Sequence, residues 1–275
     1  MLNDVIAIAK HAGIAIKANY LNTEHVSIST KADHSPVTQA DLLSHRLISY
    51  GLSELSEKLP VISEEGRGTP WEERQTYSRY WLIDPLDGTQ EFIHRTDDFA
   101  VNIALIDGDE AVLGVVYVPM FNAVYYAEKG KGAFKHVEGD DPFPIKCSPF
   151  VKDGTLRVVA SRRHEGKRLH SVLEQIPEHT VIRRGSTLKI CVVAEGEADL
   201  YPRLGPTSEW DTAAAQIIIE EAGGHITDLE GQRLRYNQKD SLINPFFVAT
   251  SASWQQLSPY LPYFQPFIEA SKNCG

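Results

Sequence analysis

Cysteine is scarce in this chain: Cys147, Cys191 and Cys274 are the three among 275 residues, widely spaced and in no metal-ligand pattern. An odd, scattered set argues against a disulfide framework and against a thiolate metal site, and points to reduced thiols in an intracellular protein. Long apolar runs are missing too. The N-terminal stretches Val5–Ala9 and Ala12–Ile16 are separated by Lys10 and His11 and closed by Lys17. Neither a secretory signal nor a membrane span is expected from runs of that length. Internal repeats and low-complexity segments are absent. No basic stripe dominates, which argues against a polymeric nucleic acid as partner.

What the chain does carry is acid, unevenly placed. The formal net charge is −10, and residues 1–150 hold 13 Lys and Arg against 22 Asp and Glu. Residues 151–211 hold 10 against 9, and the remainder 4 against 6. An acidic first part and a near-neutral, arginine-bearing second part suggest different tasks. Apolar residues make up 42% and aromatics 9%, the composition of a globular protein. The length suits one large domain or two modest ones.

Apolar residues at three-to-four spacing from Leu2 to Tyr20 predict an amphipathic helix. Thr38 or Ser35 can cap a second helix running to about Lys58, with Leu42, Leu43, Leu47, Ile48, Leu52 and Leu55 inward. Val61-Ile62-Ser63 reads as a short strand delivering Glu64 and Glu65, and 66–78 as polar and irregular. Ala100–Ile106, Ala111–Val118 and Ala123–Glu128, with turn signals between them, predict an antiparallel meander. The proline-rich segment Glu138–Pro149 is the expected boundary between two halves. Beyond it, strands at Leu156–Ala160, Thr180–Arg183, Ala198–Tyr201, Ile226–Asp228 and Phe246–Thr250 alternate with helices at about 166–176, after Thr187, at Trp210–Ala222 and beyond Trp254. Alternating helices and mixed strands predict a layered α/β sandwich.

The most concentrated chemistry is Asp84-Pro85-Leu86-Asp87-Gly88-Thr89, which follows the apolar Trp81–Ile83. Proline forces a turn with both acids at the mouth of the strand, and glycine allows close backbone approach. Two carboxylates, a carbonyl and a hydroxyl in six residues suit a hard cation. The same residues also fit a strand and an Asp-Gly turn with solvated acids. Asp211 is open to two readings as well: a helix N-cap, or an acid beside a ligand that approaches the helix across Ala213, Ala214 and Ala215. Lys189 and Arg203 could likewise be exposed surface cations, and the pairs Arg162-Arg163 and Arg183-Arg184 solvated ones.

Taken together and in order, Asp33-His34-Ser35-Pro36-Val37-Thr38, Glu64-Glu65, the Asp84–Thr89 stretch, Trp210-Asp211-Thr212-Ala213-Ala214 and Glu221-Ala222-Gly223-Gly224 resemble the magnesium-dependent, lithium-sensitive phosphomonoesterases. That superfamily contains inositol monophosphatase, fructose-1,6-bisphosphatase and the 3'(2'),5'-bisphosphate nucleotidases. The motifs Gly185-Ser186-Thr187-Leu188-Lys189 and Ala194–Arg203 are most similar to those of the bacterial CysQ-type bisphosphate nucleotidases. Leu86 stands where isoleucine is common, Ala215 replaces a frequent glycine, and Glu209 adds a charge that the resemblance does not account for.

The resemblance implies an α+β fold, a layered αβαβα sandwich, with residues 1–148 as an α+β metal-binding half and 149–275 completing the site and binding the nucleotide. It implies Mg²⁺ as cofactor, in two or three ions. Glu64, Asp84 and the Leu86 carbonyl would hold one ion, and Asp84, Asp87 and Asp211 the second. Asp33 and Thr89 would orient and deprotonate the attacking water, with Glu64 in the catalytic set. The substrate would meet Glu64, Leu86, Asp87, Gly88, Thr89 and Asp211 on the metal side, and Ser186, Lys189 and Arg203 around its second phosphate and nucleoside. The expected reaction is hydrolysis of adenosine 3',5'-bisphosphate, or its sulfated analogue, to AMP (or the sulfated mononucleotide) and phosphate. An inositol or sugar monophosphatase is the alternative within the class, and a nucleotide-binding sensor that lost turnover the alternative outside it. The expected location is the cytoplasm, with peripheral attachment at the inner face of the membrane known among relatives.

Overall fold

In the computed structural model, which describes residues 1–22, 28–30, 36–150, 154–162, 166–251, 253 and 255–272, the first element is the helix α1 (Leu2–Leu21). Its Val5, Ala9, Ala12, Ile16 and Tyr20 are buried, as their spacing predicts. Two short antiparallel strands follow, β1 (Ile28–Thr30) and β2 (Pro36–Thr38). Asp33 lies outside the described residues. Thr38 then caps α2 (Gln39–Ser53) in a capping box: its hydroxyl accepts the Ala40 N–H at 3.2 Å, and Asp41 Oδ2 accepts the Thr38 N–H at 2.7 Å.

The buried face of α2 departs from its hydrophobic pattern. Ala40, Asp41, Ser44, Ile48 and Leu52 point inward, while Leu42 and Leu43 are exposed. The cause is polar: Ser44 Oγ donates to the Pro85 carbonyl at 2.6 Å, and Asp41 reaches Thr89. Hydrogen bonds to the acidic turn rotate the helix away from the face its leucines would choose. The helix also ends near Ser53, short of Lys58, where Glu54 N–H closes on the Tyr50 and Gly51 carbonyls.

A seven-stranded sheet comes next. Strand β3 (Val61–Ser63) is parallel to β4 (Arg79–Asp87), with the short helix α3 (Trp71–Arg74) between them. After α4 (Thr89–Ile93), the strands β5 (Ala100–Asp107), β6 (Glu110–Val118), β7 (Ala123–Glu128), β8 (Ala133–Val137) and β9 (Phe143–Ile145) continue antiparallel in chain order. The segment expected to be a boundary loop therefore contributes an edge strand, β9. The second sheet has five strands in the order β11-β10-β12-β14-β13. They are β10 (Leu156–Ser161), β11 (His179–Arg184), β12 (Leu200–Arg203), β13 (His225–Asp228) and β14 (Phe247–Thr250). Helix α5 (Lys167–Leu173) joins β10 to β11, α6 (Leu188–Ala194) joins β11 to β12, α7 (Ala213–Glu221) precedes β13, and α8 (Ile268–Lys272) ends the described chain.

Side-chain alternation along the strands sorts these elements into five layers. Trp81, Ile83, Val101, Ile103 and Val115 of the large sheet pack on α1 and α2. Their neighbours Tyr80, Leu82, Ala104 and Val116 face the other way, onto α6 and α7, which also meet Tyr201, Phe247 and Ala249 of the small sheet. Val158, Ala160, Leu200 and Val248, on the far side of the small sheet, pack on α5 and on Leu257 and Phe264. The order is αβαβα. Gly114 on β6 has a positional reason: Ala214 O lies where a β-carbon would stand, so α7 rests directly on the sheet. Among the described residues no helix is long and apolar enough to cross a membrane.

Candidate active site

The apolar strand does not stop at Ile83. β4 runs through Asp87, with Asp84 opposite Asn102 and Asp87 opposite Ala100, so Pro85 and Leu86 together face one residue of β5. This is a bulge, the place where a sheet tolerates a residue without an N–H. The Leu86 side chain is buried against the α1–α2 layer, while its N–H donates to Asp84 Oδ1 at 3.0 Å. Gly88 adopts φ +93°, and a β-carbon there would come within 3.1 Å of Asp98 O. Its glycine is required by the chain itself, in addition to any closeness to a ligand.

Asp211 comes from far along the chain, on a 3₁₀ turn (Glu209–Asp211) rather than on the α-helix expected from Trp210. Its Oδ2 accepts the Ser208 N–H at 2.9 Å, and α7 starts only at Ala213. Ala213, Ala214 and Ala215 are fully buried against the large sheet, so they serve helix-on-sheet packing and not ligand approach. The result is that one carboxylate oxygen each from Asp84, Asp87 and Asp211 lies within 4.8 Å of the others. Glu64, anchored by its N–H on the Ile83 carbonyl at 3.3 Å, stands beside Asp84 but not within that spacing of all three.

Such a cluster is electrostatically unfavourable alone. Burial first, then Glu64, Asp87 and Asp211, push the Asp84 carboxyl well above the usual carboxylate range. Desolvation, then Asp87, raise Asp211 to about 7, against the pull of the Ser208 N–H and the Arg203 guanidinium. Acids gathered where they repel one another, with only oxygen donors around them, suit a hard divalent cation. Asp84, Asp87, Asp211, Glu64 and the Leu86 carbonyl fit that requirement in type.

Thr89 finds a partner that sequence reasoning had not assigned to it. Its Oγ1 donates to Asp41 Oδ1 at 2.9 Å and lies 3.3 Å from the Leu86 carbonyl oxygen. Asp41 is 1% exposed, and its other oxygen takes the Thr38 N–H and hydroxyl. Asp41 thus completes the Thr38 capping box with Oδ2 and takes the Thr89 hydroxyl with Oδ1. Two further residues of the site had no role assigned from the sequence: Asn102, and Thr187 within the Gly185–Lys189 motif.

On the opposite wall, the turn Gly185–Thr187 meets Asp87. Ser186 Oγ and Thr187 Oγ1 each lie 2.5 Å from Asp87 Oδ2, and the Thr187 N–H also donates to it. Lys189 is buried, with Nζ donating to Ser186 O at 2.6 Å and lying 5.5 Å from the Tyr201 ring centre. Arg203 donates to Pro206 O at 2.8 Å, while its Nε is buried without a hydrogen-bond partner among the described residues. Both cations line a cavity of about 340 Å³ that also touches Asp87, Gly88 and Asp211. A neighbouring cavity of about 470 Å³ shares Ser161, Tyr201 and Arg203 with it. Arg162 is engaged elsewhere, 2.9 Å from the buried Asp98, whose carboxylate also accepts the Gly185 N–H at 2.8 Å. Arg163 lies outside the described residues.

Glu209, unexplained in the sequence, points away from the cavity. It is buried, accepts the Asn237 N–H at 2.8 Å, and faces Arg74 and Lys239; burial raises it to about 7. Arg74 in turn donates to the Lys239 and Asp240 carbonyls. The charge anchors the Asp211 turn to the 237–240 loop.

Comparison with known proteins agrees with this architecture. The Escherichia coli 3'(2'),5'-bisphosphate nucleotidase CysQ is 46% identical over 90% of this chain and 98% of its own length. The Haemophilus influenzae protein of the same name is 38% identical over 94% and 96%. The crystal structure of CysQ from Bacteroides thetaiotaomicron superposes with a TM-score of 0.79 at 35% identity, covering 92% of this chain and 97% of that one. The model of the inositol monophosphatase family matches residues 1–260, and with relatives this similar along nearly their whole length, the chain belongs to the inositol monophosphatase family.

Proposed function

We propose that this protein is a Mg²⁺-dependent phosphomonoesterase that hydrolyses adenosine 3',5'-bisphosphate to AMP and phosphate; its CysQ relatives are named 3'(2'),5'-bisphosphate nucleotidases. One observation carries the reading: a single cavity is lined by the carboxylates Asp87 and Asp211 and by the cations Lys189 and Arg203. A bisphosphate nucleotide needs both kinds of group. The phosphate that reacts requires cations held by acids, and the phosphate that stays requires charged donors. The adjoining cavity past Ser161, Tyr201 and Arg203 gives room for a nucleoside, which an inositol phosphate would not use.

Asp84, Asp87 and Asp211, with Glu64 and the Leu86 carbonyl, would hold the Mg²⁺ ions. When bound, these supply Lewis acidity and neutralise the phosphate and the developing charge on the leaving oxygen. Thr89 would supply a hydroxyl oxygen whose hydrogen is committed to Asp41, which leaves its lone pairs to accept a hydrogen from water. Asp41 is thereby the pair's base, a role the resemblance gave to Asp33. Lys189 and Arg203 would take the unreacted phosphate, with Ser186 beside them.

Phosphate release measured on adenosine 3',5'-bisphosphate, its sulfated analogue, and inositol 1-phosphate at fixed Mg²⁺ tests the reading. The bisphosphate should be preferred by kcat/KM. A preference for inositol 1-phosphate would replace this reading with the monophosphatase one, and binding without release from any substrate would make the protein a sensor.

A further inference from the structure

Asp87 is held in an unusual way. Its Oδ2 faces three donors at once, the Ser186 hydroxyl, the Thr187 N–H and the Thr187 hydroxyl, all from one turn of the other half of the molecule. A carboxylate oxygen so engaged has no lone pair to spare, which leaves Oδ1 as the oxygen available to a cation.

The directions of these hydrogen bonds are fixed by elimination. An ionised carboxylate only accepts, and so does the Asp211 main-chain carbonyl, 3.0 Å from Thr187 Oγ1. The single hydroxyl hydrogen of Thr187 must therefore point to this acidic side. Its oxygen is left as an acceptor, and Asn102 Nδ2, 2.7 Å away, is the donor that fills it. Turning the Asn102 amide over would claim the Thr187 hydrogen and set bare oxygens against each other at Asp87. The amide keeps its orientation although Asn102 Oδ1 is buried with no hydrogen-bond partner among the described residues. An unsatisfied buried carbonyl is costly, and the arrangement tolerates it. Asn102 itself is 1% exposed and pairs with Asp84 across the β4–β5 ladder, so its backbone is set by the strand that carries another of the acids.

We propose that Asn102 and Thr187 are positioning residues for the cation site: a one-way hydrogen-bond chain from Asn102 through Thr187 to Asp87 decides which oxygen of Asp87 a divalent cation meets. The proposal rests on reading Asp84, Asp87 and Asp211 as cation ligands. Neither residue is among the cation ligands assigned above, although Thr187 also lines the cavity. Their effect is to hold the Asp87 carboxylate plane against rotation, so that no ligand reorganisation is needed when the ion enters.

The test is direct cation binding to the full, metal-depleted protein, by calorimetric titration with Mg²⁺ and by electron paramagnetic resonance of free Mn²⁺. Thr187→Val keeps the shape and removes the hydroxyl; its Kd for either ion should rise about tenfold, the effect usual for a residue behind a metal ligand. Thr187→Ser returns the hydroxyl and should bring Kd back to within about threefold of the parent, which a role in packing alone would not do. Asn102→Leu, which removes the donor without adding charge, should weaken binding in the same direction as Thr187→Val. Asp87→Asn separates this inference from the reading beneath it. If Asp87→Asn leaves binding unchanged, the ligand assignment itself is wrong. If Asp87→Asn weakens binding but Thr187→Val does not, or if Thr187→Ser fails to restore it, the positioning role is overturned.

Discussion

Two turns face each other at Asp87, and they are built on opposite plans. Asp84–Thr89 is shaped by its own residues: Pro85 sits in a bulge, Leu86 bonds back to Asp84, and Gly88 takes a positive φ. Gly185–Lys189 is shaped by what surrounds it. Asp98 grips the Gly185 N–H, and a β-carbon at Gly185 would meet Glu91 and Asp98 within 2.9 Å. Ser186 is held at φ +56°, a conformation that costs a non-glycine residue energy and survives only when its partners impose it. Here those partners are Asp87 and Lys189. On the proposed function, the turn that would carry the chemistry is locally specified, and the turn that would recognise the second phosphate is assembled from outside. Damage to the first should therefore appear in turnover, and damage to the second in binding.

The largest expected effect lies in the first turn. Asp84→Asn should lower kcat/KM for adenosine 3',5'-bisphosphate by roughly a thousandfold, since several kcal/mol of charge stabilisation depend on the cations it would share. Steady-state kinetics across a Mg²⁺ range would check it, and near-normal turnover at any Mg²⁺ concentration would refute the role. Next come Asp41→Asn and Thr89→Ala, each expected to lower kcat about a hundredfold with KM changed little, as for loss of a proton acceptor. The two should not be additive, because the Thr89 hydroxyl donates to Asp41. A double variant that multiplies the single losses would mean that the residues act separately.

The difference between the turns also explains what could be read in the sequence. Asp84–Thr89 is contiguous, and proline, glycine and paired acids announce a turn with oxygen ligands before any partner is known. The meander and α1 were legible for the same reason, through short-range periodicity. Residues defined by distant contacts were not. Leu42 and Leu43 suggested the wrong face of α2, because Ser44 and Asp41 turn inward to meet Pro85 and Thr89. Asp211 read as the start of a helix, yet the Ser208 capping box places it on a 3₁₀ turn before α7. Asn102 looks like any polar residue within an apolar strand, and Thr187 like a helix start. Only the approach of segments distant in sequence shows them in one chain of hydrogen bonds.

The second turn offers a smaller effect of a different kind. Lys189→Met removes a buried charge at the recognition wall while keeping most of the stem. Loss of a charged hydrogen bond is worth about 1.5–3 kcal/mol, so KM for the bisphosphate should rise roughly tenfold to a hundredfold, with kcat nearly kept. For a substrate with a single phosphate, KM should hardly move. An equal loss on both substrates would remove Lys189 from recognition of the second phosphate and would erase the division between the turns.

The smallest effect is a pH dependence of the stabilisation by Mg²⁺, which belongs to the acid cluster. The Asp211 carboxyl is raised from its ordinary value of 3.8 to about 7, and Asp84 is raised in the same direction. A carboxyl raised in the folded state holds its proton more tightly there than when unfolded. It therefore adds stability below about pH 4 that is lost as pH rises through about 7. In the metal-free protein the cluster works against folding at pH 8, where Asp211 is charged among the other acids. At pH 5 protons relieve that repulsion and compete with the cation. Saturating Mg²⁺ should thus raise the unfolding midpoint more at pH 8 than at pH 5. The difference should be a few degrees, since about 1 kcal/mol moves the midpoint by roughly 2–4 °C in proteins approaching this size. Asp211→Asn should shrink that difference, whereas Lys189→Met, on the other turn, should leave it in place. Equal Mg²⁺ increments at both pH values in the parent protein would mean that the cluster's charge is settled by something other than a bound cation.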